Sequence, residues 1–326
     1  MKTLTYTQLL NRTLDLYMIE HFTEAYEFIT EQGPLVSGNP AQIYNFRYTI
    51  ACKAGLFDLA MAIFEEAVES KGFWYGYQYL TTDEDLIPLR QNTRFKELAE
   101  ICKKREQVAR LNSAPVLKML EARSTDQGRK PAADAHKPGL LVALHGNQEN
   151  MAIAEPYWSM AIDHGYTLAL PQSSQIEFTD AFDWDAIEKG AAELKSHIDA
   201  ILSGDVIISE GAIDPNNIII GSFSAGAGPA LYAVLKGMIN ARTLIFVAPW
   251  LPEIDQWTAM LDLLKTKEIP CHILCGGQDE DCLESSQALV KQLKKRQIPY
   301  TFQLIDGLDH DFPDTFAEDL IKFLKS

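Results

Sequence analysis

The chain has 326 residues, 47% hydrophobic and 23% charged, a globular composition rather than a disordered one and too long for one ordinary domain. Against 29 Lys and Arg stand 45 Asp and Glu, a net charge of −16. Such a surface repels phosphate groups, which excludes nucleic acid and membrane as partners.

The N-terminal stretch MKTLTYTQLLNRTLDLYMIEHF holds Asn11, Arg12, Asp15 and Glu20 and has no apolar core of signal-peptide length. No run of 18 apolar residues occurs anywhere, so the default expectation is a soluble, cytoplasmic protein. From Tyr6 to about Cys102 apolar residues recur at helical spacing. Leu9, Leu10, Leu14, Tyr17 and Met18 form one face, then Phe22, Ala25, Tyr26 and Ile29, before Gly33-Pro34 stops the helix. Phe22, Ala25 and Ile29 match Phe57, Ala60 and Phe64, each 35 residues on. This recurrence resembles the tetratricopeptide repeat, a helix–turn–helix of 34 residues in which small residues let two helices approach and an aromatic fills the gap. Asp83–Arg90 and Arg94–Leu98 resemble the ending of such arrays. The alternative is a generic helical bundle. Residues 1–112 are thus expected to form an all-α helical-repeat domain, a surface for a protein partner or for self-association that supplies no chemistry.

Pro115–Leu120 reads as a first strand, and Ser124–Lys137 as a loop. From Gly139 the pattern changes. Apolar runs of strand length are Leu140–Leu144, Tyr166–Leu170, Asn217–Gly221, Thr243–Ala248, His272–Cys275 and Tyr300–Ile305. Helical patterns lie between them at Asn150–His164, Ala186–Leu202, Ala225–Met238, Ile254–Lys265, Leu283–Arg296 and Asp314–Leu324. Continuous apolar strands alternating with helices predict an α/β domain over 113–326: a mostly parallel sheet with helices on both faces and ligands beyond the strands' carboxyl ends.

Polar clusters occur at those ends. Gly221-Ser222-Phe223-Ser224-Ala225-Gly226 follows a strand and opens a helix, as a nucleophile elbow does. The strained turn needs small residues two before and two after the nucleophile. Gly226 fits, and Ser222 departs from the usual glycine but is small. The N–H of Ala225 is one candidate oxyanion donor. Leu144-His145-Gly146-Asn147-Gln148 follows another strand, and Asn147, ahead of Gln148, is the second candidate donor. His145, beside a buried strand end, reads as structural. In Cys275-Gly276-Gly277-Gln278-Asp279-Glu280-Asp281, Asp279 has the spacing for the orienting acid, with Asp281 as competitor. Of seven histidines only His310, in the loop after the last long strand, is placed to act as general base.

The order Ser224, Asp279, His310 is that of the α/β-hydrolase triad. The stretches LLVALHGNQEN, LALPQSSQ, DPNNIIIGSFSAG, LIFVAPWLP and GLDHDFP resemble the phospholipase/carboxylesterase branch of that fold. The resemblance implies ester hydrolysis through an acyl-enzyme, with no metal or cofactor. Peptide or amide hydrolysis shares the chemistry and stays open, as does an adaptor with a vestigial hydrolase domain. Cys271 and Cys275 would lie roughly 13 Å apart along a strand, too far to share a zinc ion.

For substrate binding, Gln148, Trp184 and Trp250 are candidates. Pro171–Gln175 with Phe178, Phe182 and Trp184 is expected to form one wall, and Trp250, Leu251 and Trp257 a second wall or small lid. Residues 113–326 carry 17 basic and 30 acidic groups, while 1–112 carry 12 and 15. Many of these acids lie on the expected site loops: Glu149, Asp180, Asp183, Asp185, Glu253, Asp255, Glu280, Asp281, Asp309 and Asp311. Recognition of an anionic substrate would use Arg or Lys, absent there, so a small-molecule ester that is neutral or cationic is expected.

Overall fold

The computed structural model describes residues 4–123, 137–209 and 211–325. Of the loop expected over Ser124–Lys137, all but Lys137 lies outside them. The chain forms two compact units: residues 1–114 with Gln175–Phe182, and Pro115–Ser174 with Asp183–Ser326. This differs from a single cut after residue 112 in one main respect: an eight-residue segment from the middle of the sequence groups with the helices.

The first unit contains α1 (Tyr6–Met18), α2 (Phe22–Gln32), α3 (Pro40–Lys53), α4 (Phe57–Glu65), α5 (Tyr77–Thr82) and α6 (Thr93–Asn112). The 35-residue recurrence is geometric as well as sequential. Between α1 and α2, Ile19, Glu20 and His21 donate to the carbonyls of Asp15, Tyr17 and Leu16. Between α3 and α4, Ala54, Gly55 and Leu56 donate to Ile50, Cys52 and Ala51, the same bonds 35 residues later. The turn needs a positive φ, supplied by Glu20 at 62° and by Gly55 at 78°. Ala25 and Ala60 are fully buried, as are Ile29 and Phe64. Phe57, expected between helices, stays largely exposed; Phe64 fills the core instead, with Tyr48 5.0 Å and Phe95 4.8 Å from its ring.

A hairpin that the sequence pattern did not reveal, β4 (Gln175–Phe178) and β5 (Ala181–Asp183), completes this core. Phe178 packs 6.0 Å from the Tyr75 ring, and Thr179 exchanges hydrogen bonds with the Trp74 backbone. Phe178 is therefore a core residue of the helical unit and not part of a substrate wall.

The second unit is built on a seven-stranded sheet in the order β1-β3-β2-β6-β7-β8-β9. Its strands are β1 (Val116–Leu120), β2 (Gly139–Leu144), β3 (Tyr166–Gln172), β6 (Ile218–Phe223), β7 (Thr243–Val247), β8 (Cys271–Gly276) and β9 (Tyr300–Ile305). All pair in parallel except β1, which lies antiparallel on β3 at the edge. Among the described residues the unit's helices are α7 (Met151–Trp158), α8 (Ile187–Ser203), α9 (Ala227–Leu235), α10 (Asp262–Thr266), α11 (Leu283–Arg296) and α12 (Phe316–Lys325). Alternate strand residues enter two cores. Leu140, Val142, Ile218, Ile220, Leu244 and Phe246 pack with α8, α9 and α11. Leu141, Ala143, Ile219, Phe223, Ile245 and Val247 pack with α7 and α12. Burial on both faces is why these strands read as unbroken apolar runs. The helix expected over Ile254–Lys265 is a 3₁₀ turn at Ile254–Trp257 followed by the short α10. Among the described residues no helix is long and apolar enough to cross a membrane.

Candidate active site

Parallel register brings the ends of β2, β6, β7, β8 and β9 side by side, with Leu144 opposite Ser222, Phe223 opposite Val247 and Gly276 opposite Ile305. Strain collects at the first three ends. Gln148 after β2 has φ 56°, Ser224 after β6 has 50°, and Ala248 after β7 has 46°. A left-handed backbone at a non-glycine residue costs on the order of 1–3 kcal/mol, and clusters of such residues mark functional sites. The bend at Ala248 turns the next loop toward the elbow, where the Trp250 N–H donates to the Ser224 carbonyl at 3.1 Å.

Ser224 is 7% exposed and opens a 3₁₀ turn, Ser224–Gly226, that leads into α9. The helix thus begins two residues later than the sequence pattern predicts. Gly226 sits against β2: a Cβ there would lie 2.6 Å from the His145 carbonyl oxygen and 2.9 Å from the Leu144 Cβ. Its φ of −58° suits any residue, so the requirement is purely steric. Gly226→Ala is expected to cost about 2 kcal/mol by overpacking and to displace the loop after β2; a urea midpoint would record the first effect and ester turnover the second.

That loop is held from several sides. His145 is fully buried. Its Nδ1 lies 2.7 Å from the Gly146 carbonyl, which can only accept, and its Nε2 lies 3.3 Å from the Ser173 N–H, which can only donate. These partners fix a neutral ring with the proton on Nδ1, and burial depresses its pKa to about 4. His145 is structural, as expected. Trp184, expected at the substrate, is 2% exposed and gives its indole N–H to the His145 carbonyl at 3.0 Å. It supports the loop from beneath. The Gly146 carbonyl also accepts from the Glu149 N–H at 3.4 Å. In a trans peptide the following N–H points the opposite way, so the Asn147 N–H faces away from the His145 ring. Asn147 is exposed and Gln148 half-buried.

Asp279, after β8, is 1% exposed and uses both oxygens. Oδ2 lies 2.9 Å from His310 Nδ1, and Oδ1 accepts the Cys282 N–H at 2.9 Å. Asp281, the competitor, is exposed. His310 follows β9, with its ring 4.9 Å from that of Phe223, the residue before Ser224. Phe223 also stacks on Phe312 at 4.7 Å, which stacks on Tyr157 at 3.9 Å; this aromatic column holds the His310 loop on the elbow. Gly276 admits the same loop, since a Cβ there would lie 2.2 Å from the Leu308 carbonyl. Burial disfavours the imidazolium, but the Asp279 hydrogen bond and charge, with the charges of Glu149 and Asp281, outweigh it and hold the His310 pKa above the usual value.

Cys282 ties the pieces together, and the sequence pattern gave it no role. Its sulfur, a His310 nitrogen and an Asp279 oxygen lie within 4.8 Å of one another. Metal ligation would require a thiolate, whereas burial pushes this thiol well up. The Asp279 oxygens are committed to hydrogen bonds, so the cluster suits proton transfer better than an ion. Cys271 and Cys275 are buried free thiols.

Around the site, Trp250 is 43% exposed, while Trp257 is buried against Tyr232 and forms no lid. Of the acids expected at the rim, Glu149, Asp183 and Asp311 are buried, and Asp185, Asp255, Glu280 and Asp281 are exposed.

Residues 5–110 match a family described as A/B hydrolase-like, N-terminal domain, and residues 175–326 match Phospholipase/Carboxylesterase. The C-terminal part of the chain belongs to the phospholipase/carboxylesterase family of α/β hydrolases. It is 43% identical to an uncharacterized protein from Bacillus cereus ATCC 10987 over 99% of this chain and 98% of that one, with a TM-score of 0.54. The Bacillus cereus carboxylesterase is 16% identical over 67% of this chain and 97% of its own, with a TM-score of 0.47. Zea mays acyl-protein thioesterase 2 is 17% identical over 64% of this chain and 97% of its own, with a TM-score of 0.45. No curated protein matches the chain significantly.

Proposed function

We propose that the chain is a serine hydrolase that cleaves carboxylic esters of small or medium neutral acyl groups through an acyl-enzyme on Ser224. The observation that carries this reading is the convergence of a strained, buried serine with a hydrogen-bonded Asp279–His310 pair, the His310 ring packing 4.9 Å from that of Phe223, the residue before the serine. With its Nδ1–H given to Asp279, His310 keeps Nε2 to take the Ser224 proton. The serine oxygen attacks the ester carbonyl, and the N–H groups of Ala225 and Asn147 hold the oxyanion. His310 passes its proton to the departing alkoxide, which leaves as the alcohol. Water, deprotonated by His310, then attacks the acyl-enzyme, and Ser224 regains a proton as the acid departs.

Exposed Trp250 supplies apolar surface beside the serine, and Gln148 a polar contact at the oxyanion loop. The exposed acids, with no cation among those loops, favour neutral or cationic esters over anionic ones. The chain is expected to operate as a soluble, cytoplasmic enzyme, with the helical repeats free to dock a protein partner or a second copy.

The test is labelling by a fluorophosphonate, followed by comparison of a nitrophenyl ester with an aminoacyl anilide. Labelling that disappears in Ser224→Ala, with the ester turned over faster, supports the proposal. Absence of labelling would favour an adaptor, and faster anilide cleavage a peptidase.

A further inference from the structure

One buried acid beside this site has no part in the triad. Glu149 is 9% exposed and lies on the loop after β2. Its Oε2 accepts the Gly146 N–H at 2.8 Å, and its own N–H returns to the Gly146 carbonyl at 3.4 Å. Glu149 therefore holds both peptide groups of Gly146, one of which carries the Asn147 N–H. The approach is close: a Cβ on Gly146 would come within 3.0 Å of the Glu149 oxygen and 2.9 Å of the Phe223 ring, the same ring that packs on His310.

We infer that Glu149 is a positioning residue of the hydrolytic site, whose carboxyl sets the direction of the Asn147 N–H and whose charge acts on His310. The inference rests on the reading of Ser224 and His310 as nucleophile and base.

Its charge state is poised. Burial pushes Glu149 up to about 7, opposed by the Gly146 hydrogen bond and the His310 charge and assisted by the buried carboxyl of Asp311. His310 in turn faces Asp279, Glu149 and Asp281. The signs follow. Ionised Glu149 makes a charge-assisted bond to Gly146 and stabilises the imidazolium, so it raises the pH at which His310 becomes a free base. Protonated Glu149 does neither as strongly. Glu and His titrate together, and the acid limb of activity belongs to the pair.

The experiment compares Glu149→Gln with Glu149→Ala. Gln keeps an acceptor for Gly146 but removes the charge, whereas Ala removes both. Three readouts apply: the pH profile of kcat/KM on nitrophenyl acetate, the plateau kcat, and the NMR titration of His310, assigned by its loss in His310→Asn. In both variants the His310 titration and the acid limb are expected to move to lower pH. Plateau kcat is expected to fall roughly tenfold or more in Ala, a fraction of the 10²–10³ that loss of one oxyanion donor costs, with KM little changed. Gln is expected to recover most of that loss. An unshifted His310 titration in Gln overturns the charge role, and equal plateau kcat in Gln and Ala overturns the positioning role. A wild-type protein inert to esters and fluorophosphonate would overturn the esterase reading instead, and the His310 titration would still decide whether Glu149 acts on that ring.

Discussion

Ser224→Ala is expected to lower kcat on a nitrophenyl ester by about a millionfold, the scale at which a serine nucleophile acts together with its base. KM and the fold should change little, because the backbone of residue 224 is set by its neighbours. Its carbonyl accepts the Trp250 N–H, and Gly226 is wedged against β2. Ser224→Gly gives a second, independent readout. At φ 50° any side chain is strained, and glycine is not. Ser224→Gly is therefore expected to be more stable than Ser224→Ala by about 1 kcal/mol, visible as a higher urea midpoint. Equal midpoints would mean that the turn is not under strain. A fall in kcat of less than a hundredfold in Ser224→Ala would point to another nucleophile, for which Cys282 is adjacent but too firmly protonated to serve.

The parts legible in the sequence were those whose causes are local. β9 occupies Tyr300–Ile305 and α11 Leu283–Arg296, as the apolar and amphipathic patterns indicate, because Pro299 and Asp306 bound the one and a basic last turn closes the other. The elbow was legible because small flanking residues at Ser222 and Gly226 answer a local steric need. Features caused by distant partners were not. The hairpin β4–β5 exists because Phe178 meets Tyr75 and Thr179 meets Trp74, far away in the chain. Trp184 looked like a wall because its partner, the His145 carbonyl, cannot be seen in a one-dimensional pattern. Glu149 and Asp311 read only as two more acids of the site loops, because burial is a property of the assembled loops. Ile254, Trp257, Leu261 and Leu264 follow spacings of three and four residues, which a 3₁₀ turn followed by a short helix satisfies as well as one long helix does.

Strain and steric need also explain why the site lies where it does. Ser224 is tense at the end of β6, and the two strands beside it, β2 and β7, end in the similarly strained Gln148 and Ala248. Each bend orients a backbone group that an extended exit would turn elsewhere. The bend at Ala248 leads to the Trp250 N–H on Ser224, and the bend at Gln148 accompanies the hydrogen bonds from Glu149 back to Gly146. The packed sheet supplies the rigidity that keeps these conformations from relaxing.

Asp279→Asn is expected to lower kcat about 10⁴-fold and to move the acid limb of the pH profile downward. An asparagine can satisfy only one of the two present contacts with its oxygen. If that oxygen accepts the Cys282 N–H, its amide faces His310 Nδ1, which must then become an acceptor. The ring proton moves to Nε2, where it faces the serine and blocks proton abstraction. The pH effect has a separate origin. The base must be neutral, so in the native protein activity falls as pH drops through the His310 pKa, which Asp279 holds above the ordinary value against the cost of burial. In Asp279→Asn the burial cost remains, opposed only by Glu149 and Asp281, so the ring loses its proton at lower pH and the limb follows. A pH profile of kcat/KM measures both effects. High residual activity with an unshifted limb would mean that Asp279 does not orient this histidine, and Asp281→Asn would then be expected to carry the loss instead.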